Sequence, residues 1–138
     1  MNTIEKQERT LREYARQAEL LKALGHPARL AILDLLRDGP HCVCHLEAHL
    51  GLRQAYISQQ LAVLRAAGLV DINREGWNVY YAISEPAVFA LLDAAQGRVG
   101  GANMVEPGTG INCPCPKCSS EHRQTLQAIP VKEKNAEN

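Results

Sequence analysis

The chain has 138 residues, which allows one domain of ordinary size plus a tail and argues against two independent cores. Its 46% hydrophobic content is mainly Leu, Ala, Val and Ile, with one Trp, four Tyr and one Phe, so the expected core is helical and aliphatic. Fifteen basic residues balance fifteen acidic ones, which argues against a broad polycationic surface; any case for nucleic-acid binding has to rest on pattern, and nonspecific affinity should be modest at physiological salt. No run approaches the roughly eighteen apolar residues needed to span a bilayer, and the charged first dozen residues are helical in character rather than a signal peptide. The expectation is a cytoplasmic chain with no membrane partner.

In chain order, Ile4, Leu11, Tyr14, Ala15, Ala18, Leu21 and Leu24 recur at helical spacing and predict a long first helix over 4–24, ended by Gly25. His26-Pro27 restarts the chain, with Pro27 suited to a first helical turn, and a second, largely buried helix ends at Asp38-Gly39-Pro40. A short helix over 43–50, bounded by Gly51, and another over 53–67, bounded by Gly68, form the outline of a helix-turn-helix. Leu50, Ile57, Leu61 and Leu64 would pack the pair and turn Arg53, Gln54, Tyr56, Ser58, Gln59 and Gln60 outward. Segments 69–73 and 78–83 read as a β-hairpin with its loop at 74–77, a wing directly after the reading helix. Glu85-Pro86 opens a last helix that runs to Gln96 and stops before Gly97. The expected fold is mainly α with a β-hairpin, a winged helix-turn-helix of order ααααββα. Residues 1–96 would form the DNA-binding and dimerisation domain, and 97–138 a flexible tail carrying a cysteine loop at 113–118.

Five cysteines in a reducing compartment suit metal ligation or redox chemistry better than permanent disulfides. They fall into two groups, Cys42 with Cys44, and Cys113, Cys115 and Cys118. Residues two apart within a helix point about 200° away from each other, so Cys42 and Cys44 can share a ligand only at a helix end. Gly39-Pro40 places them there, where the helix dipole favours thiolate. Cys113-Pro-Cys-Pro-Lys-Cys118 is a proline-braced loop whose spacing suits a soft ion. Two sulfurs from the helix and one from the tail would make a trigonal site for As(III) or Sb(III); two and two would make a tetrahedral site for Cd(II), Pb(II) or Zn(II). The tail alone as a site, or as a zinc staple, stays open. His41 and His45 lie near the pair as secondary candidates, His26 reads as structural, and His49 and His122 are unassigned.

The stretches Leu24-Gly-His-Pro-Ala-Arg-Leu-Ala-Ile-Leu33, Cys42-Val-Cys-His-Leu46, Ile57-Ser-Gln-Gln-Leu-Ala-Val-Leu64, Gly68-Leu-Val-Asp71 and Arg74-Glu-Gly-Trp-Asn-Val-Tyr-Tyr81 together resemble the ArsR/SmtB family of metal-sensing repressors. The resemblance covers roughly residues 20 to 95. It implies a homodimer joined through the first and last helices, bound to palindromic operator double-stranded DNA when metal-free and released by an inducing ion. Cys-Val-Cys corresponds to the family's metal-binding signature, but the third cysteine common in arsenic sensors is here Glu47. Arg53 stands where Ser is common, and Gln60 where His is common, so the operator sequence does not transfer.

For DNA, the planar heads of Gln54 and Arg53 match adenine and guanine edges in the major groove. Gln59 lies on the same surface, Ser58 and Tyr56 carry hydroxyls suited to phosphate, and Arg74 on the wing suits backbone or minor-groove contact. Two other readings compete. One is a repressor of the same fold that senses oxidant or sulfide through its thiols. The other is a thiol oxidoreductase, which lacks a helix-start Cys-x-x-Cys after a strand and a catalytic base, so the chain is not expected to be an enzyme.

Overall fold

The computed structural model describes residues 2–99. Cys113, Cys115 and Cys118 therefore lie outside the described residues, as do His122 and most of the segment expected to be a tail. Helix α1 (Thr3–Leu24) starts one residue before the expected position because Asn2 caps it: Asn2 Oδ1 accepts the Glu5 N–H at 2.8 Å, and Glu5 Oε2 accepts the Asn2 N–H at 3.4 Å. It ends where the Gly25 N–H turns back to the Lys22 carbonyl. Helix α2 (Pro27–Leu35) follows at once, continues as a 3₁₀ turn over Leu36–Asp38, and leads through Gly39-Pro40 to α3 (Val43–Leu50).

Helices α3 and α4 (Gln54–Ala66) form the expected helix-turn-helix. Gly51 closes α3 in the left-handed region at φ 65°, donating its N–H to Glu47 O at 2.9 Å. A β-carbon disfavours that conformation, which is why a glycine breaks the chain there and lets α4 begin three residues later.

Strands β1 (Val70–Glu75) and β2 (Asn78–Ile83) pair antiparallel in the register Val70↔Ile83 to Glu75↔Asn78. The ladder is longer than the sequence suggested, since Arg74 and Glu75 belong to β1 rather than to the loop. Gly76, at φ 62°, makes a two-residue turn with Trp77 sufficient, so pairing continues to the tip. Helix α5 (Val88–Val99) also departs from expectation at both ends. Glu85 to Ala87 form a turn, with Val88 and Phe89 amides bonded to the Glu85 and Pro86 carbonyls at 3.1 Å, so the helix starts later. Gly97 does not stop it: glycine costs a helix only about 1 kcal/mol relative to alanine, and the φ at Gly97 is not left-handed.

The core lies between α2, α3, α4 and the base of the hairpin. Ile32, Leu33, Leu46, Ile57, Leu61, Leu64 and Leu69 are its fully buried side chains, each contributing about 1.5–3 kcal/mol of transfer free energy. Arg37 ties α5 to this body, with its guanidinium 2.7 Å from Asp93, 2.8 Å from Asp34 and 4.6 Å over the Phe89 ring. The two carboxylates, Asp93 foremost, raise its pKa above the ordinary arginine value.

Helix α1 is the first of the two helices expected to join a dimer. Its apolar stripe does not serve its own core: Ala23 and Leu24 are its buried residues, whereas Ile4, Leu11, Tyr14 and Leu21 are exposed. Leu91 and Val99 on α5 are exposed as well. Among the described residues no helix is long and apolar enough to cross a membrane.

Candidate nucleic-acid interface and sulfur pair

Helix α4 is anchored by Ile57, Leu61 and Leu64, all at 0% exposure, so its opposite face and first turn are left to solvent. Arg53 occupies the N-cap position with extended backbone, and it, Gln54, Ser58 and Gln59 are exposed, while Tyr56 is half-buried. No acidic residue occurs from Ala48 to Val70, so α4 and the turn before it carry Arg53 and Arg65 with no acidic side chain of their own, although the chain is neutral overall. That run of uncharged and basic residues was a signal available in the sequence that net charge concealed.

Gln60 does not join the outward set. It is buried, and its Oε1 accepts a hydrogen bond from Arg29 Nε at 2.8 Å, while Arg29 Nη1 reaches Ala23 O at 3.2 Å. The physical reason is helical phase: Gln60 sits beside Leu61 and three residues after Ile57, on the flank of the buried stripe. Arg74 lies exposed on β1 opposite Val79, near the hairpin tip, where Trp77 is also fully exposed. Tyr56 has a partner that the sequence did not suggest, because its hydroxyl lies 3.3 Å from His26 Nε2.

The sulfur pair sits at the other end of the helix-turn-helix. Cys42 is the N-cap of α3, with extended backbone at φ −81° and ψ 164°, and Leu46 N–H bonds to its carbonyl at 3.3 Å. This break from helical geometry overcomes the divergence of positions two apart, and the Sγ atoms of Cys42 and Cys44 approach to 2.9 Å. The approach is non-covalent, since a sulfur–sulfur bond is about 2.05 Å long. Cys42 is buried and Cys44 half-buried. Among the described residues no group of three or more ligating side chains surrounds the pair, and Glu47 is exposed.

Histidines crowd the same end. The His41 ring stacks on His45 at 3.9 Å, nearly parallel, and His45 meets His49 at 4.3 Å. Parallel rings this close direct their in-plane lone pairs side by side rather than toward one point, which disfavours joint chelation. His41 Nε2 lies 3.1 Å from Asp38 Oδ1, whereas its buried Nδ1 has no hydrogen-bond partner among the described residues. Burial, the neighbouring His41 and, in opposition, Asp38 combine to lower the pKa of His49. His41 also joins the wing: its N–H and C=O pair with the Tyr81 C=O and N–H at 3.0 and 2.8 Å. The residue preceding Cys42 is thus hydrogen-bonded to β2.

Comparison with known proteins places these features in a family context. The family described as "Bacterial regulatory protein, arsR family" matches residues 26–71. A biofilm growth-associated repressor of Agrobacterium fabrum is 47% identical over 77 residues, covering 56% of this chain and 66% of that protein's length. The structure of reduced HlyU from Vibrio cholerae aligns with a TM-score of 0.60 at 33% identity, covering 68% of this chain and 99% of that one. A homodimeric winged helix-turn-helix DNA-binding domain from Mycobacterium bovis aligns with a TM-score of 0.60 at 33% identity, covering 66% and 84%.

Proposed function

Because this chain belongs to the ArsR family of bacterial regulatory proteins, DNA-binding transcriptional regulators rather than enzymes, we propose that it is a homodimeric repressor released from operator DNA by a thiophilic effector at Cys42 and Cys44. The observation that carries the sensing half is the 2.9 Å approach of the two sulfurs at the start of α3, the helix that packs against α4. Repression and dimerisation draw support from the relatives. The exposed stripe of Ile4, Leu11, Tyr14 and Leu21 on α1, with Leu91 and Val99 on α5, is the apolar surface a second copy would cover.

On the DNA, Arg53, Gln54 and Gln59 face base edges from the first turns of α4, Ser58 and Tyr56 hold phosphates, and Arg74 reaches from the wing. In the reduced chain Cys42 and Cys44 would supply two thiolates. Zinc–sulfur bonds of about 2.3 Å set sulfurs about 3.8 Å apart around one tetrahedral ion, so the pair fits after opening by roughly 1 Å. A third or fourth ligand would come from Cys113, Cys115 or Cys118, giving a site for As(III) or Sb(III) in the trigonal case and Cd(II), Pb(II) or Zn(II) in the tetrahedral one. The segment carrying these cysteines would then form a tail distinct from the DNA-binding domain. A tenfold loss of DNA affinity needs only ~1.4 kcal/mol of differential effector binding between the two states.

The same pair supports a second reading, a thiol-redox or sulfide-sensing repressor, which is favoured by the 2.9 Å approach of the two sulfurs and by a relative whose structure is described as reduced. One titration separates the two. Reduced protein on a duplex carrying the gene's own upstream region is challenged in turn with As(III), Cd(II), Pb(II) and Zn(II). The metal reading expects sulfur-to-metal ultraviolet absorption rising in step with release of the duplex. Release by oxidant, with no such absorption for any ion, would sink it.

A further inference from the structure

His26 is the N-cap of α2, and its Nδ1 accepts the Ala28 N–H at 3.2 Å. A ring nitrogen that accepts an amide proton presents its lone pair, so in the neutral imidazole the remaining proton is on Nε2. Nε2 faces the Tyr56 hydroxyl at 3.3 Å, with the two rings tilted at 49° and their centroids 6.2 Å apart. The cap therefore sets the direction of the second hydrogen bond: His26 donates and the phenol oxygen accepts. A phenol proton lies near the ring plane in one of two directions, and the one toward His26 is closed to it. The Tyr56 hydroxyl is left as a donor pointing away from His26.

Such a hydroxyl suits a partner that only accepts. Tyr56 lies in the first turn of α4, between the exposed Gln54 and Ser58 and close to Arg53, where no acidic residue competes. A phosphate diester, which accepts hydrogen bonds through its oxygens and carries negative charge, is the matching chemistry. We propose that His26 is a positioning residue for DNA binding: locked as the Nε2–H tautomer by its capping bond, it holds the Tyr56 hydroxyl as a donor to a backbone phosphate. This rests on α4 being the DNA-reading helix, and it gives His26 a role beyond closing the turn between α1 and α2. It also links the entry of α2 to the reading helix by one side-chain bond.

Two measurements on the full chain test it. Long-range proton–nitrogen correlation spectra of the histidine rings should show His26 with Nδ1 unprotonated and Nε2 protonated; the opposite tautomer would overturn the proposal without any mutation. Retardation of a duplex carrying the gene's own upstream region is then compared for wild type, Tyr56→Phe, His26→Asn and the double variant, with Asn chosen because it still caps a helix. Each single variant should weaken binding by about tenfold, the double variant no more than either single, and thermal midpoints should stay close to wild type. Effects that multiply to about a hundredfold in the double variant overturn the positioning role, because His26 would then act independently of Tyr56. Full retardation by Tyr56→Phe alongside wild type overturns this proposal alone. No retardation by wild type overturns the assignment of α4 to DNA, and this proposal with it, whatever tautomer the spectra show.

Discussion

In α4 the side chains of Ile57, Leu61 and Leu64 are fully buried, while Arg53, Gln54, Ser58 and Gln59 stand in solvent on the other side. At the start of α3, a buried thiol, a half-buried sulfur and a buried histidine, its Nδ1 without a partner among the described residues, crowd into one turn. The first arrangement is what packing physics produces when a helix has one apolar and one polar face. The second encloses one such nitrogen beside two closely placed sulfurs, and a buried polar atom of that kind gains most from a change of state or a new partner. A reader of DNA has to hold its shape, whereas a sensor has to have somewhere to go. The Tyr81 bridge at His41 and the packing of α3 on α4 connect the two.

Several changes would break or sharpen this contrast. The largest effect is expected for Leu61→Ala, which empties a fully buried position in the rigid half and should cost about 2–5 kcal/mol in urea unfolding. A loss under 1 kcal/mol would mean that α4 is not held as described. Next is the pair Leu11→Glu and Tyr14→Glu on the exposed stripe of α1, which should leave the fold intact, shift sedimentation from dimer to monomer and weaken operator binding by roughly a hundredfold through lost avidity. A variant that stays dimeric would move the interface elsewhere. Gln54→Ala should cost about tenfold in affinity for the preferred operator and little for mismatched duplexes, as removal of a base-edge contact requires. Equal weakening on every duplex would make Gln54 a backbone contact instead.

The smallest expected effect lies in the crowded half. Burial and His41 hold His49 below the ordinary histidine pKa of 6.5, so the unfolded chain binds that proton more readily than the folded one. Its contribution to stability is therefore complete above about pH 6.5 and declines as pH falls through the lower folded value. The informative quantity is the wild-type stability minus that of His49→Gln, followed from pH 7 to pH 5. A difference that does not decrease on acidification contradicts the account.

Most of the fold was legible because period and punctuation agreed. Gly25, Pro27, Gly51 and Gly68 cut the chain where the apolar phase changes, and the Cys42 and Cys44 sulfurs meet because Gly39-Pro40 keeps Cys42 out of the helix. What was misread depended on longer-range contacts. Gln60 looked like its neighbours until Arg29, distant in sequence, supplied its partner. The helix passes through Gly97 because a single glycine in a helix carries only a small penalty. The His26–Tyr56 contact left no mark in either local pattern, since it joins the cap of one helix to the first turn of another.

The central claim is that Cys42 and Cys44 govern the grip of α4 on DNA, and its most direct test compares effector-driven release of the upstream duplex for wild type, Cys44→Ser and a chain ending before Cys113. The account predicts that all three bind the duplex alike without effector, that wild type releases it, and that Cys44→Ser does not. A truncated chain that fails to release would bring the tail cysteines into the site; one that still releases would leave the pair sufficient. Normal release by Cys44→Ser would contradict the claim.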